Sequence, residues 1–131
     1  MTDISETEIL SLSEGEAIRL CEKTTIIDTI ISLTKHKSAR VRQRALKEMC
    51  PCRVKEDLSD FWERVQQMVD DESPVVRYQV LHTLCDGSPT HMEDKVADAL
   101  DIFNYDSDPK IRRKAHQVLT GYRRTGKWNV M

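Results

Sequence analysis

Residues 38–50 read SARVRQRALKEMC, residues 73–85 read SPVVRYQVLHTLC and residues 108–120 read DPKIRRKAHQVLT. The three stretches lie 35 residues apart and align without a gap. Equivalent places hold Ala39, Pro74 and Pro109, then Val41, Val76 and Ile111, then Arg42, Arg77 and Arg112. A smaller apolar residue follows (Ala45, Val80, Ala115) and then a larger one (Met49, Leu84, Leu119). The register extends upstream through Ile26, Phe61 and Val96, Ile30, Val65 and Leu100, and Leu33, Met68 and Phe103. A period of this length marks an array of stacked units, each too small to bury its apolar face alone.

Each period accommodates two helices. Val41, Ala45 and Met49 fall at i, i+4 and i+8, which is one helical stripe. Ser38, Ser73 and Asp108 stand where an N-cap belongs, with Pro74 and Pro109 in the first turn, where a missing N–H costs nothing. Ile26, Ile30 and Leu33, or Phe61, Val65 and Met68, form a stripe on the helix before it. Pro51 in CPC, and Gly87 with Pro89 in DGSP, break the chain between units. The reading is one domain, 1–131, with an N-terminal helical cap at 1–23, hairpins at roughly 24–50, 59–85 and 94–124, and a tail at 125–131.

Composition agrees. A hydrophobic share of 39% with 32% charged residues suits a helical protein with a narrow core, and 5% aromatics argues against a β-sandwich or barrel. No apolar run is long enough to span a membrane. The first residues, MTDISETEIL, lack the basic start and apolar block of a secretory signal. The expectation is an intracellular, cytoplasmic protein whose four cysteines are free thiols or ligands rather than disulfides.

The motif [DS]-P-x-[VI]-R-x-x-[AV]-x-x-x-[LM] on the second helix of each pair resembles that of the HEAT-repeat family, over about four fifths of the chain. The first copy departs from it, with Ala39 in place of proline. CPCRV, LHTLCDGSP and GYRRTGKWN are similar to strings in short, stand-alone HEAT-like proteins. The resemblance implies an all-α fold, an α-α superhelix of three hairpins, with binding and scaffolding as its role. It also implies that the second helices line a concave face.

Charge follows the helix pairs. Residues 35–55 and 109–131 each sum to +7, whereas 1–34, 56–72 and 92–108 sum to −5, −6 and −5. With Val41, Ala45 and Met49 inward, the outward arc of the second helices is Arg40, Gln43, Arg44 and Lys47, then Val75, Tyr78, Gln79 and His82, then Lys110, Arg113, Lys114 and Gln117. Asp28, Glu63 and Asp98 align on the outer arc of the first helices. The basic arc is the candidate site, expected to bind an acidic protein partner. The runner-up is nucleic acid, bound by the same residues and by the tail residues Arg123, Arg124, Lys127 and Trp128, where cations and an aromatic ring interleave. The same tail also reads as a helix end, with cations suited to the dipole. Arg42, Arg77 and Arg112 are set apart from the arc as structural partners of acids such as Asp71 or Asp106.

A third reading takes Cys50, Cys52, His82 and Cys85 as thiolate and imidazole ligands for a metal, or as a redox pair, although C-x-C is not the usual finger spacing. No cofactor is expected. No phosphate loop, HExxH or nucleophile elbow is present, so the chain reads as non-catalytic. Self-association is expected to be weak, through exposed array ends.

Overall fold

The computed structural model describes residues 4–48, 59–87 and 92–125. Among the described residues are eight helices and no strand: α1 (Glu6–Ser11), α2 (Glu14–Lys23), α3 (Ile27–Leu33), α4 (Ala39–Glu48), α5 (Ser59–Gln67), α6 (Pro74–Gly87), α7 (Glu93–Phe103) and α8 (Pro109–Thr125). The protein is all-α.

Local chemistry starts these helices. Ser13 caps α2 in a reciprocal box, its hydroxyl accepting from the Glu16 amide while the Glu16 carboxylate accepts from the Ser13 amide. The carbonyls of Ser38, Ser73 and Asp108 accept the first helical bonds of α4, α6 and α8, from Arg42, Arg77 and Arg112 at 3.0–3.1 Å. Pro74 and Pro109 occupy the first helical positions of α6 and α8. Asp108 Oδ1 also accepts from the amides of Lys110 and Ile111, whereas the Ser38 hydroxyl turns away to donate to Glu14 Oε1 at 2.7 Å. Gly87, read as a breaker between hairpins, instead closes α6. Pro51, Pro89 and Met49 lie outside the described residues.

The helices pack in two rows. α2 lies on α4, α4 on α6 and α6 on α8; α1 lies on α3 and α3 on α5; α7 packs against both α6 and α8. The segment 1–23 therefore extends each row by one helix. Every helix of the first row buries an i, i+4 pair of small or β-branched residues: Ala17 and Cys21, Val41 and Ala45, Val76 and Val80, Ile111 and Ala115. Small contact residues let neighbouring helices approach closely. Phe61, Trp62 and Phe103 are the bulkiest fully buried side chains, and Phe61 meets Trp62 edge-on at 5.2 Å between centroids.

α6 is enclosed on more than one side. Besides Val76, Val80, Leu81, Leu84 and Cys85, it buries Gln79 and Thr83, whose amide and hydroxyl bond each other at 3.2 Å. Gln79, placed on the outward arc by the sequence reading, is therefore a core residue. The arc assumed one solvent-facing side per helix, and a helix with α4 on one flank and α8 on the other has less.

The turns between paired helices carry a repeated clamp. Asp71 Oδ1 accepts from the Ser73 amide at 2.9 Å and Asp106 Oδ1 from the Asp108 amide at 2.8 Å. Thirty-five residues before Asp71 stands His36, 1% exposed, whose Nδ1 accepts from the Ser38 amide at 3.0 Å. That bond places the ring hydrogen on Nε2, which donates to the Leu12 carbonyl at 2.8 Å and ties the α1–α2 link to the next turn. Arg42 reaches forward to grip Asp71 with Nε and Nη2, both at 3.0 Å, and Arg77 grips Asp106 likewise at 2.8 and 3.0 Å. Their Nη1 atoms, and that of Arg112, donate to the carbonyl six residues back: His36, Asp71 and Asp106. Arg42 and Arg77 thus cross-link one turn to the next.

A second arginine closes the other row. Arg64 on α5 donates to the hydroxyl and carbonyl of Thr34, at 3.0 and 3.1 Å, where Thr34 ends α3. Helix C-termini leave carbonyls without partners and carry partial negative charge, so a guanidinium is well placed there. Burial holds the Arg64 guanidinium below its ordinary pKa, an effect that the neighbouring Asp71 and Glu6 oppose.

Candidate binding face

α8 holds six Lys or Arg and no carboxylate over Pro109–Thr125. Ile111, Ala115 and Val118 turn inward at i, i+4 and i+7, which directs Lys110, Arg113, His116 and Gln117 outward. Lys110 and Arg113 are exposed and Lys114 is half-buried. None of the three has an ion-pair partner among the described residues. Arg123 and Arg124 are exposed in the last turn of α8. Lys127 and Trp128 lie outside the described residues.

The cations of α4 are in a different state. Arg40 Nη1 sits 3.1 Å from Glu14 Oε2, and Arg44 pairs with Glu22 at 3.0 Å and Glu48 at 3.3 Å. Glu14 and Glu22 belong to α2, the neighbour of α4 in its row. The expected stripe is therefore offset by carboxylates at its α4 end, leaving Lys47 exposed there with no ion pair among the described residues. Tyr78 and His82 are half-buried on α6. Lys110 Nζ lies 4.5 Å above the centre of the Tyr78 ring, a cation–π contact joining α8 to α6. Asp28, Glu63 and Asp98 are exposed on α3, α5 and α7.

Beside Tyr78 runs a groove of about 240 Å³. Pro74, Val75 and Tyr78 of α6 line it with Gln43 of α4 and Lys110 and Ile111 of α8. Sequence reasoning placed most of these residues on one arc but did not reveal the groove, whose walls come from three helices.

Of the four residues weighed as metal ligands or a redox pair, Cys50 and Cys52 lie outside the described residues. Among the described residues no group of three or more His, Cys, Asp or Glu is arranged to hold a metal. Cys21 and Cys85 are buried, and neither is in a disulfide. No helix among the described residues is long and apolar enough to cross a membrane.

Burial, reinforced by the nearby Glu48 carboxylate, pushes the Cys21 thiol up to about 11. In an unfolded chain a thiol ionises near pH 8.5, so between that pH and 11 the folded state holds the extra proton. Stability conferred by this group is full below about pH 8.5 and falls as pH rises toward 11, by up to about 3 kcal/mol. The denaturation midpoint is expected to drop more steeply between pH 8.5 and 10.5 in the wild type than in Cys21→Ala. Parallel pH dependence in the two proteins would contradict this.

No family model, no curated protein and no solved structure matches this chain.

Proposed function

We propose that the chain is a non-catalytic binding module, a short α-α superhelix of HEAT-like hairpins, that engages an acidic protein partner through the outward face of α8. The observation that carries this reading is the contrast between α8 and α4. Arg40 and Arg44 already face carboxylates, whereas Lys110, Arg113 and Lys114 face none among the described residues. A face whose cations are not neutralised by nearby carboxylates attracts an oppositely charged ligand and sets its orientation. The superhelical reading is supported by the in-register 35-residue match and by the unbroken row α2–α4–α6–α8.

Nucleic acid is the weaker reading. Phosphate binding is built from Lys and Arg contacts, and Arg40 and Arg44 already face Glu14, Glu22 and Glu48, carboxylates that repel a phosphate backbone.

The test is titration of a labelled twelve-residue polyglutamate peptide at low salt, with a duplex oligonucleotide in parallel. Arg113→Glu with Lys114→Glu is expected to weaken peptide binding about thirtyfold, since each reversal at close range changes the interaction by ~1 kcal/mol. Arg40→Glu, at a position already facing Glu14, is expected to change it less than threefold. Equal loss from both variants, or oligonucleotide binding tighter than peptide binding, would overturn the proposal.

A further inference from the structure

Arg40, Val75 and Lys110 hold equivalent places on α4, α6 and α8, and so do Gln43, Tyr78 and Arg113. The centre of the face is therefore apolar where its flanks are charged. Val75 is 54% exposed, one of the few large apolar side chains left in water among the described residues. It stands over the groove that Pro74 and Tyr78 share with Gln43, Lys110 and Ile111. At about 240 Å³ the groove falls below the roughly 300–1,000 Å³ of sites for cofactors and drug-sized ligands. It suits a single bulky side chain.

Past the groove α8 is positive, and Lys110 is the cation that lines the groove itself. Asp108 also lines it, but its carboxylate accepts from the Lys110 and Ile111 amides at the α8 N-terminus, where the helix dipole offsets its charge. Lys110 is itself a wall of the groove, Arg113 follows one turn along α8, and Lys114 is next to it. A nucleobase stacking on Tyr78 would meet Lys110 already covering one ring face, and Val75 offers no flat surface.

We propose that this groove is the anchor subsite of the binding face: it takes one bulky apolar side chain of an acidic peptide segment whose flanking Asp or Glu residues meet Lys110, Arg113 and Lys114. The inference rests on the acidic-partner reading above and adds the anchor to it. Charge supplies attraction and register, and apolar burial supplies the discrimination among acidic sequences that charge alone lacks.

Three labelled probes test it by fluorescence anisotropy: an acidic nine-residue peptide with one central Phe, the same peptide with Ala in its place, and a twelve-nucleotide single strand. They are titrated into wild type, Val75→Ser, and Lys110→Gln with Arg113→Gln. Val75 is exposed in the first turn of α6, so its replacement leaves the fold intact, as far-UV circular dichroism would verify. Wild type is expected to bind the Phe peptide about tenfold more tightly than the Ala peptide, a difference of ~1.4 kcal/mol. In Val75→Ser the two peptides are expected to bind nearly alike, and the charge variant is expected to lose affinity for both. Equal binding of the Phe and Ala peptides to wild type, with both lost in the charge variant, would overturn the anchor and leave the acidic-partner reading standing. Failure of both peptides to bind, or tighter binding of the oligonucleotide, would overturn the two together.

Discussion

Asp71→Asn is expected to lower folding stability by about 3 kcal/mol, because it removes the counter-charge from a guanidinium that stays buried. The Arg42 side chain is 8% exposed, and Asp71 accepts from both its Nε and its Nη2. Glu72 lies 3.8 Å from Nη2 but is itself 88% exposed, so it compensates only in part. Asparagine keeps an oxygen for the Ser73 amide and thereby isolates the loss of charge from the loss of the turn. For a chain of this length the melting temperature is expected to fall by about 10 °C. Adding Arg42→Met removes the orphaned charge, so the double variant is expected to be no less stable than Asp71→Asn alone. Simple addition of the two single losses would show instead that the pair acts independently and that the clamp reading is mistaken.

The clamp also shows how far the sequence reached. Arg42 and Arg77 were separable from the binding arc by their position beside the inward stripe, and their partners Asp71 and Asp106 were named from the chain. Each arginine's grip on the next hairpin's turn was not, because it depends on how far one unit advances on another. His36 was passed over for a related reason. It occupies the place of Asp71 and Asp106 in the 35-residue register, yet imidazole and carboxylate look unlike until both are seen accepting from the amide two residues on.

The N-terminal pair illustrates a second kind of loss. Ala17 and Cys21 stand 24 residues before Val41 and Ala45, whereas Val76 and Val80 stand 35 after them. A search at a fixed period of 35 therefore slides past α1 and α2, although α2 buries Ala17 and Cys21 four apart as its row-mates bury Val41 and Ala45. Missing α2 as a row member meant missing Glu14 and Glu22 beside Arg40 and Arg44. The arc consequently looked equally basic at its α4 and α8 ends in sequence, while in the folded chain Arg40 and Arg44 at the α4 end face carboxylates.

Val80→Asp is expected to leave the chain unfolded, whereas Val75→Asp, five residues earlier on the same helix, is expected to be nearly neutral. Val80 is completely buried at the centre of α6, in the row between Val76 and Leu84. An aspartate there must either bury an unpaired charge or stay protonated; a fully buried acid can be raised by about 3–5 pKa units, so at neutral pH it is held largely protonated at a cost of ~4 kcal/mol. Loss of the valine's own burial adds about 1.5 kcal/mol or more. The sum rivals the roughly 5–15 kcal/mol that holds a typical domain together. Position 75, by contrast, is exposed in the first turn of α6, where a carboxylate meets the positive end of the helix dipole. Far-UV circular dichroism and the soluble yield of the two variants decide the matter. A helical, cooperatively melting Val80→Asp protein would mean that α6 can turn its buried side to solvent, and the enclosed-helix account of the fold would then fail.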